Sequence, residues 1–291
     1  MSQEKNRVTP STLYLVATPI GNLSDISERA QKVLREVDFI AAEDTRNSLK
    51  LLSCYGIQKE LVSYHEHNKR ASGERIVSRL LAGESCALIT DAGMPAISDP
   101  GEDIVVLCAE AGIRVSVVPG ACAAVSALSL SGLPTGRFAF EGFLSANRTE
   151  RRRHLEAIRY EDRTLIFYEA PHKLKATLTD LCDVFGEARR ISLARELTKL
   201  NEDVQRTTLG EAVEYYREHE PRGEYVLIVE GTDEARVQED NGYASRPLSE
   251  HLAYYESQGM SHMDAIKAVA KDRGVPKSEI YKQVCELKNQ E

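Results

Sequence analysis

The chain has 291 residues, a length that suits two domains and a smaller third piece. At 42% hydrophobic and 28% charged it has the composition of an ordinary globular protein, and no apolar run reaches the roughly 20 residues that a bilayer crossing requires. The net charge of −8 argues against a surface that broadly coats nucleic acid. Six scattered cysteines without a CxxC pair read as reduced thiols, not as a disulfide frame or zinc site. The polar start MSQEKNRVTPST lacks the apolar stretch of a signal peptide, so residues 1–11 are expected to be disordered and the protein cytoplasmic.

Taken in chain order, TLYLVA at 12–17 is a branched apolar strand that breaks at Thr18-Pro19-Ile20-Gly21-Asn22. A helix follows, with Asp25 as its expected cap, Glu28 three residues on, and Ile26, Ala30, Val33, Leu34 and Val37 as its apolar stripe. Strands are then predicted at 39–42, 61–64, 85–90 and 115–118, and helices at 47–54, 73–81 and 102–111, stopped by Gly56, Gly83 and Gly112. The helix 121–131 is built of Ala and Ser, which fits close packing against a neighbour or a ligand. After a linker at 131–136 a second alternation runs through strand 138–142, a basic helix near 149–160, strand 164–168, helix 172–185, strand 190–194, helix 210–218 and strand 225–230. Residues 232–246 read as a second linker. In the helical remainder Ala270, Gly274 and Ile280 have the spacing of a helix-turn-helix, with Val269 and Val275 as core contacts. Alternating strands and helices predict an α/β fold with mostly parallel sheets: one α/β domain at 12–131, a second at 137–231, and a helix-turn-helix-like tail at 247–291.

Ligands of open α/β sheets bind at the carboxyl ends of the strands. Three loops leave strand ends rich in Gly and Pro: Thr18 to Asn22, Asp91 to Gly101 and Pro119 to Ala124. The second runs eleven residues, longer than the two to six a simple connection needs, which favours a binding loop. No GxGxxG opens a helix after the first strand, and GxxxxGK[ST] and GxSxG are absent. A dinucleotide site, a nucleoside triphosphatase and an α/β-hydrolase are therefore unsupported, and His65-Glu66-His67 lacks a third metal partner in register. The residues themselves lead to a small-molecule site at the strand ends. Polar candidates there are Glu43 and Asp44 with Arg46, His65 and Glu66, Glu169, Arg195, Glu196 and Lys199. A basic segment, NRTERRRH at 147–154, carries Arg148, Arg151, Arg152 and Arg153.

Seven blocks in order, LYLVATPIGNLSDIS, AAEDTR, YHEHN, LITDAGMPAISDPG, VPGACAAVSALSLSGLP, FYEAPHKL and ARELTK, closely resemble the ribosomal RNA small subunit methyltransferase I family of the tetrapyrrole methylase superfamily. The resemblance spans about residues 12–231. It implies two α/β domains of that type with S-adenosylmethionine in the cleft between them, a homodimer, and 2′-O-methylation of a cytidine ribose in the decoding region of 16S ribosomal RNA, in the small ribosomal subunit. Carried onto this chain, it sets Pro19, Asp91, Ala92, Gly93, Met94, Ile97, Ser98 and Ala121 against the cofactor from the first domain, and Phe167, Tyr168, Leu197 and Thr198 from the second. Many superfamily members carry PGxS or PGxT in the third loop where this chain has Pro119-Gly120-Ala121-Cys122, so backbone contacts are expected there and a hydroxyl contact is not. With an RNA acceptor, Arg148, Arg151, Arg152 and Arg153 become expected phosphate contacts and His65 an expected RNA contact. A ribose hydroxyl needs a proton acceptor, for which Glu43, Asp44, Arg46, Glu169 and Lys199 form the candidate catalytic set. Two other readings stay open at this point. A methylase of a tetrapyrrole ring would need a wide apolar trough and no helical tail, and a non-catalytic assembly factor would leave RNA unlabelled.

Overall fold

Five short strands, β1 (Thr12–Val16), β2 (Phe39–Ala42), β3 (Glu60–Ser63), β4 (Cys86–Ile89) and β5 (Arg114–Val118), form the first sheet of the computed structural model, which describes residues 7–232, 247–273 and 275–288. Their order is β3-β2-β4-β1-β5 and every pairing is parallel. Strands covered on both faces read as continuous apolar runs, and β2 and β4 are buried throughout. Alternation along the strands sends Leu13, Phe39, Ala41, Cys86 and Leu88 against α3 (Lys69–Leu81) and α4 (Gly101–Glu110), and Tyr14, Val16, Ile40, Ala87 and Ile89 against α1 (Glu28–Glu36) and α2 (Thr45–Cys54). The expected cap of α1 is corrected. Ser27 accepts the Ala30 amide and caps the helix, while Asp25 closes a separate 3-10 turn, Leu23–Asp25, capped by Asn22. Of the stretch 1–11, residues 7–11 are described, and the Thr9 amide donates to the Tyr14 hydroxyl at 2.9 Å.

The second sheet departs from the expected alternation. It contains β6 (Phe138–Phe143), β7 (Thr164–Glu169), β8 (Arg190–Arg195), β9 (Asp203–Thr208) and β10 (Tyr225–Val229) in the order β6-β7-β10-β8-β9. Only β6 and β7 are parallel; the other pairings are antiparallel. The missed strand is β9, whose DVQRTT sequence is polar because it lies at the sheet edge and needs no apolar run. One face of the sheet is covered by α6 (Arg148–Ala157), α7 (Pro171–Phe185) and α8 (Leu209–Glu218). The other face receives α5 (Ala123–Ser131), whose Ala124, Ala127 and Leu128 pack on Ile166, Ala194, Val226 and Ile228. Small side chains let that helix approach closely, so α5 comes after the first sheet in sequence yet belongs to the core of the second.

Three further helices, α9 (Leu248–Ser257), α10 (His262–Asp272) and α11 (Lys277–Lys288), have their own core of Leu248, Leu252, Ala265, Ile266, Val269, Ala270, Ile280 and Val284. His251 is fully buried there between Asp272 and Arg273. Ala270, Ile280 and Val269 of the expected helix-turn-helix sit in this core, Val275 packs against it, and Gly274 lies outside the described residues. Most of the expected second linker also lies outside them. Among the described residues no helix is long and apolar enough to cross a membrane.

Candidate functional site

The three Gly- and Pro-containing loops come together at the carboxyl ends of β1, β4 and β5. Thr18 and Gly93 exchange both backbone hydrogen bonds, at 3.0 and 3.2 Å, and the Thr18 hydroxyl donates to the Thr90 carbonyl. Gly120 packs so tightly that a Cβ there would lie 2.7 Å from the Ala17 Cβ. Gly93 has φ +85°, and a Cβ would stand 3.1 Å from Ile20 and 3.3 Å from the Ala121 carbonyl. Asp99 organises the long loop from within, accepting the amides of Ala96, Ile97 and Gly101. Those bonds hold Ala96 and Ser98 in the left-handed region, at φ 66° and 61°, where a residue with a side chain is strained. Backbone strain of this kind persists only where the surroundings over-determine it, and it concentrates at ligand sites.

These loops form one wall of a cleft of about 390 Å³, within the range of small-molecule sites. Ile20, Glu43, Thr90, Asp91, Ala92, Gly93, Met94, Ile97, Ser98 and Cys122 line it from the first sheet's side; Phe143, Tyr168, Glu169, Ala194, Leu197, Lys199, Glu224, Tyr225 and Val226 line it from the second. The loop after β8 carries the other strained pair, Glu196 at φ 49° and Thr198 at φ 67°. It presses on the first loop, for a Cβ at Gly21 would lie 2.4 Å from Lys199 Cγ and 2.8 Å from Thr198 Oγ1. That Thr198 hydroxyl is buried without a hydrogen-bond partner among the described residues. Tyr168 is fixed by accepting the Ala124 amide at 3.2 Å, and burial pushes its phenol up to about 12.

The candidate catalytic residues separate by what each already holds. Asp44 caps α2, accepting the Arg46 amide at 2.8 Å and its guanidinium at 3.1 Å; these bonds hold its carboxyl below the usual carboxylate range. Arg46 points to solvent, and neither it nor Asp44 lines the cleft. Glu169 lines the cleft, but its carboxylate is buried: it accepts the Ala170 amide and the Thr177 hydroxyl and pairs with Lys173 at 3.0 Å. It therefore closes the first turns of α7 and has little left to offer a substrate. Lys199 bonds Glu196 and Glu224, each at 2.9 Å. Partial burial lowers its proton affinity, but the two carboxylates outweigh this and leave it raised, so it stays a cation. Glu43 alone lines the cleft and takes no hydrogen bond or ion pair among the described residues. Although the residue is accessible to solvent, partial desolvation and then the charges of Asp91 and Asp99 raise its carboxyl above the ordinary value, with His65 acting the other way.

Of the expected cofactor contacts, Asp91, Ala92, Gly93, Met94, Ile97, Ser98, Tyr168 and Leu197 line the cleft. Pro19, Ala121 and Thr198 sit beside lining residues without lining it themselves. Phe167 is corrected: alternation turns it to the opposite face of β7, into the core beneath α7. The second sheet's Glu224, Tyr225 and Val226 were missed because β10 runs against β7 and β8, bringing a strand start, not a strand end, to the cleft: Tyr225 pairs with Glu169 and Arg195. No local sequence signal marks that reversal.

The arginine candidates divide as well. Arg151 is 5% exposed and its guanidinium is spent on buried Asp180, at 2.6 and 2.9 Å, and on the Ser145 carbonyl. It joins α6 to α7 and is not available to phosphate, which corrects its expected role. Arg152 pairs with Asp183 at 2.8 Å and is half-buried; Arg148 also reaches Asp180 but is largely exposed. Arg153 is exposed with no partner among the described residues. His65 lies beside the cleft near Glu43, its Nδ1 buried without a partner among the described residues.

Comparisons with known proteins give the family and the fold. The family model for Tetrapyrrole (Corrin/Porphyrin) Methylases matches residues 12–213. The chain is 50% identical to the ribosomal RNA small subunit methyltransferase I of Halalkalibacterium halodurans, over 95% of this chain and 96% of the other. It is 43% identical to the protein of the same name from Synechocystis sp., over 94% and 98%. Among solved structures, uroporphyrin-III-C-methyltransferase from Thermus thermophilus superposes with a TM-score of 0.54 at 22% identity, covering 76% of this chain and 94% of the other; that likeness is one of fold.

Proposed function

The chain belongs to the ribosomal RNA small subunit methyltransferase I family of the tetrapyrrole methylases, and from that premise we propose that its cleft takes S-adenosylmethionine and serves 2′-O-methylation of a cytidine ribose in the decoding region of 16S ribosomal RNA. The substrate is the RNA within the small ribosomal subunit, the acting species a homodimer in the cytoplasm. The observation that carries the reading is the unclaimed carboxylate of Glu43 in a cleft bounded by strained, Gly-dependent loops.

The residues fit such a cofactor. Gly93 lines the cleft without a side chain, which lets a ligand come close to the backbone there. Ile20, Met94 and Leu197 supply apolar contact, and the Thr198 hydroxyl next to Leu197 is a polar group in want of a partner. When bound, S-adenosylmethionine supplies a methyl group on a positively charged sulfur. The protein's task is then to position the ribose hydroxyl and take its proton. Glu43 would accept that proton at its carboxylate. Its raised proton affinity makes it a better base than an ordinary carboxylate. Protonated Lys199 and buried Glu169 shape the wall without exchanging protons.

Labelled S-adenosylmethionine, incubated with the protein and either small ribosomal subunits or naked 16S ribosomal RNA, tests the reading. Label on a cytidine ribose is the expected result. A protein that binds the cofactor tightly yet leaves both RNA preparations unlabelled would overturn it.

A further inference from the structure

We propose that Phe143 is the platform on which the base of the acceptor nucleotide stacks. Phe143 is 58% exposed yet lines the cleft, and the backbone is built to aim it there. Along β6, Phe140 pairs with Ile166 on the α5 face, and simple alternation would turn residue 143 to the opposite face. An irregularity between Phe140 and Gly142 adds one residue, so that Gly142 pairs with Phe167 and Phe143 with Tyr168. Gly142 has φ +63°, a conformation a side chain resists. The bulge thus returns Phe143 to the cleft side.

The ring is also held. It meets Tyr168 edge-on at 5.4 Å, and Tyr168 meets Phe140 in the same manner at 5.0 Å. Lys173 Nζ lies 5.7 Å from the Phe143 centroid. A fixed, largely exposed aromatic suits stacking against a planar ring. Bases of single-stranded RNA are splayed out and stacked on such side chains. The position favours the acceptor over the cofactor: β6 is the outer strand of its sheet, three spacings or roughly 14 Å from β8, whose succeeding loop holds Leu197. A polymer too large to enter the cleft presents its base at that edge. The chain then runs from β6 into α6, which carries Arg148 and Arg153.

This assignment rests on the RNA methylation proposed above, and the test separates the two. The full chain and its Phe143→Ala, Phe143→Leu and Phe143→Trp variants are assayed for methyl transfer to small ribosomal subunits, with cofactor affinity measured by calorimetry. Phe143→Ala and Phe143→Leu are expected to lower kcat/KM for the RNA roughly ten- to hundredfold, with the cofactor Kd unchanged and Phe143→Trp active. The chain has no tryptophan, so Phe143→Trp also introduces a sole tryptophan, whose selectively excited emission is expected to be quenched by naked 16S ribosomal RNA and not by cofactor. Full activity of Phe143→Leu would overturn stacking, since bulk alone would then suffice. Equal loss of cofactor affinity, or quenching by the cofactor, would move the ring to the cofactor's subsite and overturn the assignment while leaving RNA methylation standing. An unaltered protein that labels no RNA would overturn both.

Discussion

The two sheets face one cleft with different parts of their strands. The parallel sheet contributes the loops that leave its strand ends: Ile20 after β1, Glu43 after β2, Thr90 to Met94 and Ile97 to Asp99 after β4, and Cys122 after β5. The mixed sheet contributes the ends of β6, β7 and β8 and also the start of β10, which runs the other way. Two glutamates at strand ends, one from each sheet, meet different fates. Glu169 leads straight into α7, whose first turns claim its carboxylate through Ala170, Lys173 and Thr177. Glu43 precedes Asp44, which takes the cap of α2 for itself and leaves Glu43 unclaimed. A carboxylate's place at a strand end does not decide its role; the demands of the next helix do.

The largest expected effect tests the parallel side. Gly93→Val sets a branched side chain at φ +85° against Ile20 and the Ala121 carbonyl and should abolish S-adenosylmethionine binding by calorimetry; retained affinity would show that the loops do not form the cofactor wall. On the mixed side, Asp180→Ala leaves buried Arg151 unpaired and should destabilise the fold by about 3–5 kcal/mol, read as a lowered denaturant midpoint. An unaltered midpoint would return Arg151 to the set of RNA contacts.

The glutamates form the sharpest contrast. Glu43→Gln should lower kcat by about a hundredfold or more. In the unaltered protein the active form is deprotonated Glu43, so activity is full at higher pH and is lost as pH falls through a carboxyl pKa raised above the ordinary value; Glu43→Gln should remove that acid limb. Glu169→Gln should instead cost about 1–3 kcal/mol of stability and keep the limb, and the reverse pattern would exchange their roles. Smallest is Arg153→Ala, expected to change stability by no more than about 0.5 kcal/mol while lowering the salt slope of RNA binding by about one. An unchanged slope would leave α6 a solvated helix.

Much of the parallel half is legible in the sequence because strands buried on both faces must be apolar and crossovers need Gly and Pro at defined places. Gly93 and the loop after β4 can be read directly. The mixed half is less so. The DVQRTT strand carries no apolar signature, and nothing local tells that β10 is reversed, so Glu224 and Tyr225 go unseen. Arg151 and Arg153 are neighbours in a run of like residues; only the buried Asp180, 29 positions from Arg151, distinguishes a core cation from a surface one. Phe167 and Tyr168 are told apart by strand alternation once the covering helices are known.

The helix α5 has a consequence for dividing the chain. Severing it in the 131–136 connection would cut between the two sheets but not between two cores. The N-terminal fragment would carry the face of Ala124, Ala127 and Leu128 with nothing beneath it, and the C-terminal fragment would leave Ile166, Ala194, Val226 and Ile228 bare. Neither piece is expected to fold on its own, and fragments made separately should recover the native state only by complementing one another.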